Sequence, residues 1–261
     1  MSTSTIATGY TPSIARKQEI ARVEASAAFR WLRRGFADFT RAPGLSLLYG
    51  GLFAALCAGI YALLMNIPWY GIAYLTGLVV IGPFLAAGLY VASRDMESGN
   101  APGIGGSLRL LQQRSTYLAL FSLMLALVMA AWVRFSALLF AIQLNTLSPY
   151  PSMQALTNIF SSPEGLTTLA FFIGAGLLLV SVVFVVSAIA VPLIIDKDAD
   201  FISAMQTSAR AVAKNPVAML VWAGLIVALT AVGIATAFIG LAVIFPLLGY
   251  ATWHSYRELV K

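Results

Sequence analysis

Three residues carry most of the chemistry this sequence offers: the lone histidine, His254, the lone cysteine, Cys57, and Arg134, which sits inside an apolar run. A single histidine cannot ligate a haem on both faces, and without a cysteine cluster it cannot complete a zinc or copper site. A serine–histidine–acid arrangement would need His254 to meet a serine and a carboxylate, and nothing local supports that. His254 is instead expected at an interface beside Trp253 and Tyr256. Cys57, alone within an apolar segment, reads as a structural thiol. There is no phosphate-cradling G-x-x-x-x-G-K-[ST] loop and no dinucleotide fingerprint. The expectation is no metal, no cofactor and no catalytic residue.

Asp196-Lys-Asp198-Ala-Asp200 resembles the opening of a calcium loop, but Phe201 and Thr207 stand where the turn glycine and the bidentate glutamate belong. Capping explains it better. Asp200 precedes an amphipathic stripe of Phe201, Met205, Ser208 and Val212, and an acid favours a helix N-terminus. Arg134 has two readings. At about 1.5 Å per residue it lies roughly 25 Å from the inner surface, close enough to snorkel to the outer interface with Trp132 as a belt residue. Otherwise it is buried and contacts an anionic group or lipid. No acid lies inside any expected span, so a carboxylate partner would have to be Glu164.

The elements that must position these residues are membrane helices. Of 261 residues, 60% are hydrophobic and 10% charged, with mean hydropathy +0.87. Soluble domains carry roughly 25% charged residues. The net charge of +6 is explained by topology rather than by nucleic acid. Residues 1–23 are expected to be a disordered tail and 24–261 one membrane domain. From Glu24 to Arg41, Ala25, Ala28, Phe29, Leu32, Phe36 and Phe39 recur at helical spacing, with Arg30, Arg33, Arg34, Asp38 and Arg41 opposite. Such a helix lies in the interface, its arginines serving as a basic anchor on anionic lipid at the inner face.

Six spans follow, at roughly 45–65, 70–92, 117–144, 167–195, 217–236 and 238–255, each with the roughly 20 apolar residues a bilayer core requires. All 16 Lys and Arg except Arg134 fall in the leader, the tail or the connections on one side. The positive-inside rule therefore places both termini in the cytoplasm. The long outer connection, Asn145–Leu166, contains no Lys or Arg. Met153, Leu156, Ile159 and Phe160 suggest a surface helix or lid there.

The spans repeat. Gly77, Pro83 and Arg94 match Gly240, Pro246 and Arg257 at one constant spacing, and Arg41, Pro43, Gly51 and Leu56 match Lys214, Pro216, Gly224 and Leu229 at another. More faintly, Ser107-Leu-Arg109 resembles Ser208-Ala-Arg210. The fold class expected is an all-α membrane protein of six transmembrane helices. They form three parallel two-span repeats, approximately 24–95, 104–198 and 200–258, each preceded by an amphipathic interfacial helix. Pro83, Pro192 and Pro246 are expected to kink the even spans, freeing the carbonyls of Val79, Ala188 and Ala242. Together they would either open a cavity or simply pack as kinked helices. Gly51, Ala55 and Gly59 form a small-residue stripe suited to close helix packing.

Phe29-Arg-Trp-Leu-Arg-Arg-Gly-Phe-Ala-Asp38, Pro43-Gly-Leu-Ser-Leu-Leu-Tyr-Gly50, Gly82-Pro-Phe-Leu-Ala-Ala-Gly-Leu-Tyr90 and Pro192-Leu-Ile-Ile-Asp-Lys-Asp-Ala-Asp-Phe201 resemble a bacterial integral membrane family, domain of unknown function number 2189. The resemblance covers roughly 25–258. It implies a multi-pass inner-membrane protein without an established activity. Some members carry the label of cytochrome c oxidase component; one histidine argues against a haem-bearing subunit but not against an accessory role beside an oxidase. Two functions are expected. One is a non-catalytic structural or assembly protein touching other membrane proteins such as respiratory complexes. The other is a small-molecule or lipid carrier with a cavity between Pro-kinked spans.

Overall fold

The computed structural model describes residues 18–64, 82, 85–143 and 161–261. The chain is helical: α1 Ala27–Arg41, α2 Pro43–Leu64, α3 Ala87–Glu97, α4 Ile104–Gln113, α5 Ser115–Gln143, α6 Pro163–Ser187, α7 Ala190–Lys197, α8 Phe201–Lys214, α9 Pro216–Ala235 and α10 Leu241–Leu259. Among the described residues there is no strand, only an isolated bridge between Ile20 and Val260. Pro163 and Pro216 open their helices at the first turn, where a missing amide donor costs nothing. Ser162 Oγ accepts from Gly165 N at 3.0 Å. The expected cap at Asp200 forms, its Oδ1 accepting from Ser203 N at 2.9 Å.

Among the described residues, four stretches are long and apolar enough to cross a membrane: Pro43–Ala62, Ser115–Leu139, Pro163–Lys197 and Pro216–Ala235. Their exposed aliphatics, such as Leu52, Leu127, Leu178 and Leu220, suit contact with lipid chains. The span expected over 70–92 lies partly outside the described residues, together with Pro83, Val79, Met153, Leu156, Ile159 and Phe160. The stretch Pro163–Lys197 is interrupted between α6 and α7 at Ala188 and Ile189. Ala188 is the residue whose carbonyl Pro192 cannot satisfy. By contrast, α10 runs unbroken through Pro246.

Core packing concentrates at the charged end of the bundle, where Ile20 and Ala21 meet Leu259 and Val260. The largest buried side chains there include Trp31, Trp253, Tyr90, Tyr250 and Tyr256. α1 lies along α10, and α10 lies along α2. Glycine permits the contact: a Cβ on Gly35 would stand 2.7 Å from Ala251 N and 2.8 Å from Leu247 O.

Three expectations are corrected. The tail does not extend to residue 23. Ala21 N donates to Leu259 O at 2.8 Å, Lys214 Nζ donates to Ile20 O at 2.7 Å, and Val23 N donates to Asn215 Oδ1 at 2.8 Å. Backbone groups in an extended segment need partners, and the C-terminus and the α8–α9 junction supply them. The inward face of α1 is Ala27, Ala28, Trp31, Gly35 and Asp38, while Phe29 and Phe36 are more than half exposed. Close backbone approach requires Gly35 at the crossing with α10, while Trp31 packs inward edge-on to Trp222 and Phe29 and Phe36 face the surroundings. The stripe Gly51, Ala55, Gly59 is displaced for the same reason. Nothing lies near a Cβ at Gly51 or Gly59, whereas one at Gly50 would collide with the Ala242 carbonyl.

Candidate functional site

Two features have the geometry of a site: a polar collar at the charged end and an apolar cavity beside it. The collar begins at Asp38, buried because α1 seats its Gly35 face on α10. Asp38 Oδ2 lies 2.8 Å from His254 Nε2 and accepts a hydrogen bond from Ser93 Oγ; Arg41 approaches Oδ1 at 3.6 Å. The structure therefore brings His254, a serine and a carboxylate together, which the sequence did not suggest. The order is wrong for nucleophilic catalysis. Both Ser93 and His254 bind the carboxylate, so the serine hydroxyl is committed to Asp38 rather than to the imidazole that would have to deprotonate it. The trio ties α1, α3 and α10 together.

Further carboxylates extend the collar. Glu258 accepts from Arg30 NH2 at 2.6 Å and from Trp31 Nε1 at 3.0 Å, with Arg34 at 3.8 Å. Asp196 accepts from the Tyr256 hydroxyl at 2.6 Å and faces Arg94 and Arg257 at 3.6 and 3.7 Å. Glu97 accepts from Trp253 Nε1 at 3.1 Å and from Arg257 Nε. Arg114 pairs with Asp198. Burial and the neighbouring Asp196 carboxylate hold the Tyr256 hydroxyl protonated far above its ordinary range. Burial also raises Asp95, with Arg94 opposing, whereas the hydrogen bonds of its cap lower Asp200. Most of these acids and bases pair with one another, the buried Arg114 Nε being without a partner among the described residues, so the collar is a clamp.

The amphipathic helices join the collar by a recurring seat. Ser208 on α8 spans the α6–α7 interruption: Ile189 N donates to its Oγ at 3.4 Å, and its hydroxyl donates to Val185 O at 2.8 Å. On α4, Ser107 Oγ donates to Gly88 O at 3.4 Å. Each serine stands 19 residues beyond its partner, Ser107 beyond Gly88 and Ser208 beyond Ile189. Gly35 of α1 takes the corresponding seat against Ala251.

Above the collar lies a cavity of about 450 Å3, bounded by α6, α9, α10 and the residues leading into α3. Its walls include Phe53 and Phe245, stacked at 3.9 Å, and Gly82, Ala86 and Ala188. Trp222 joins it to the collar, meeting Trp31 edge-on at 5.8 Å. The volume falls within the roughly 300–1,000 Å3 of small-molecule sites. Among the described residues no charged side chain lines it.

The remaining sequence candidates divide as follows. Pro192 is buried in α7 just past the interruption, and Pro246 is buried in α10 behind the cavity wall. Pro83 lies outside the described residues, one position beyond Gly82 of the lining. Arg134 is exposed on α5, away from the cavity, while Trp132 packs inward on Phe172 with ring centroids 5.0 Å apart. Of the basic anchor, Arg30, Arg34 and Arg41 are engaged with Glu258 and Asp38, and Arg33 is exposed between Phe29 and Phe36. Cys57 is buried against α10, as a structural thiol should be.

Helices with lipid-facing aliphatics over a buried polar collar are the geometry of an integral membrane protein, and the family comparison agrees. Residues 72–196 match the model described as predicted integral membrane protein, DUF2189. Over these residues the chain is similar to that family. The DUF2189 stretch includes the α6–α7 interruption, the Ser107 seat and much of one cavity wall. No match is found among the curated proteins or the solved structures.

Proposed function

We propose that this DUF2189 protein is a six-span, non-catalytic carrier or binding protein for an apolar molecule, multi-pass in a bacterial inner membrane with both termini cytoplasmic. The cavity of about 450 Å3 carries this reading. It sits in the apolar half of the bundle, beside a clamp that holds the helix ends together, which suits binding within the membrane plane. Three parallel two-span units, approximately 24–95, 104–198 and 200–258, account for the recurring seat. Each amphipathic helix rests on the inner half of the span before it, and α1 closes the ring on α10. Parallel units around an axis along the membrane normal would produce that closure. The exclusion of basic residues from the outer connections supports the cytoplasmic termini.

The test is what the protein retains when purified in mild detergent. Native mass spectrometry of the wild type should find a bound lipid-sized mass, and Ala223→Trp, which fills the cavity, should remove it. A wild-type protein carrying no such mass, or a variant retaining it unchanged, overturns the carrier reading.

A second reading, as an assembly or accessory protein beside other membrane proteins such as respiratory complexes, is favoured by the exposed pair Phe29 and Phe36 flanking Arg33 on α1. The same face suits anionic lipid at the inner surface. Stoichiometric co-purification of a membrane protein, abolished by Phe29→Ser with Phe36→Ser, would support partner binding over lipid contact.

A further inference from the structure

Hydroxyls inside apolar helices normally donate to the carbonyl one turn back, since nothing else in lipid will accept from them. This chain follows the rule at Ser46, Ser122, Ser136, Thr167, Thr168 and Thr252, with distances of 2.5–2.8 Å. Ser181, Ser187 and Thr230 depart from it, making no hydrogen bond among the described residues. All three line the cavity. Ser187 is buried and stands at the end of α6, immediately before the interruption. Ser181 is six positions earlier, about 9 Å along the axis, and Thr230 lines the same cavity from α9. A buried hydroxyl left unpaired in an apolar site is unfavourable, so Ser187 awaits a partner, and exposed Ser181 and half-buried Thr230, lining the same cavity, can share it.

Charge restricts what that partner is. Among the described residues no Lys, Arg, His, Asp or Glu lines the cavity, and Arg134 is elsewhere. An isolated phosphate or ammonium group would enter without compensation, at a penalty far larger than three neutral hydrogen bonds return. We propose that the cavity binds an uncharged long-chain amphiphile of the glyceride type. Its hydroxyl and ester carbonyl groups bond Ser181, Ser187 and Thr230, and its chains lie against Phe53, Phe245 and Ile226. This deepens the carrier reading and rests on it. It also separates that reading from an anion contact at Arg134.

Dioleoylglycerol and dioleoyl phosphatidic acid differ only in the phosphate, so the pair isolates charge. With the full-length protein in micelles, native mass spectrometry titration should show at least a tenfold preference for dioleoylglycerol. Ser187→Ala should weaken dioleoylglycerol binding about fivefold, the effect of one hydrogen bond, while leaving the thermal midpoint unchanged because no protein bond is lost. Equal binding of the two lipids, or preference for phosphatidic acid, overturns the neutral-ligand inference and leaves the carrier reading standing. Binding of neither overturns both. Neutral preference with Ser187→Ala and Ser181→Ala both unaffected overturns the assignment of the hydroxyls.

Discussion

The two ends of this molecule solve opposite problems. At the charged end, carboxylates such as buried Asp38 and half-buried Asp196 each meet two or more donors, and the helices carrying them are tied by those bonds. In the apolar half α6, α9 and α10 surround a cavity, and three hydroxyls on its walls go without protein partners among the described residues. Polar groups removed from water need partners, and the collar supplies them for nearly all of its side chains, buried Arg114 Nε excepted. Apolar walls need only exclude water, and they tolerate space. Stability should therefore reside in the collar and ligand selection in the cavity.

The largest effect expected is at Asp38. Asp38→Ala strands His254 and Ser93 and should lower unfolding stability by roughly 3 kcal/mol, read by denaturant titration in detergent. A loss below about 1 kcal/mol would break the contrast. Next comes the helix crossing: Gly35→Ala forces α1 away from Ala251 and should cost about 2 kcal/mol, whereas Gly51→Ala, with open space around it, should stay within roughly 0.5 kcal/mol. Ser208→Ala removes the hydroxyl that spans the α6–α7 interruption and should cost about 1.5 kcal/mol. Hydrogen exchange should localise that loss to Val185–Ile189.

At the α8 cap, Asp200→Ala should cost about 1 kcal/mol. The lowered Asp200 pKa gives the sign: its stabilisation is present above the ordinary carboxylate value of about 3.9 and is lost as pH falls through the lower folded value. The difference between wild type and variant should therefore vanish in acid, and a difference that grows there would contradict the cap. The smallest effect belongs to the cavity. Ala223→Val should change stability by less than about 0.5 kcal/mol, because it fills space rather than displacing a neighbour.

Composition and charge asymmetry made the membrane class legible, because a chain this apolar cannot hide its surface from lipid. The Asp200 cap and the buried Cys57 were legible for the same local reason: a helix start or a lone thiol in an apolar run needs no distant partner to be recognised. The seat residues were visible only as a faint match of Ser107 with Ser208. Asp38 was placed on the wrong face. Periodicity groups residues by hydrophobicity, but close helix crossing selects by size, so Gly35 turned α1 and carried Asp38 inward while Phe29 and Phe36 faced out.

The same distinction covers the whole protein. By itself the sequence determined what short-range physics can read: which stretches are helical, which are apolar enough to span, where Asp200 caps a helix. Tertiary structure alone decided which residues meet. His254, Ser93 and Asp38 come from three distant helices, and their grouping follows from how α1 lies on α10. The cavity likewise depends on where packing stops, and no local pattern encodes that.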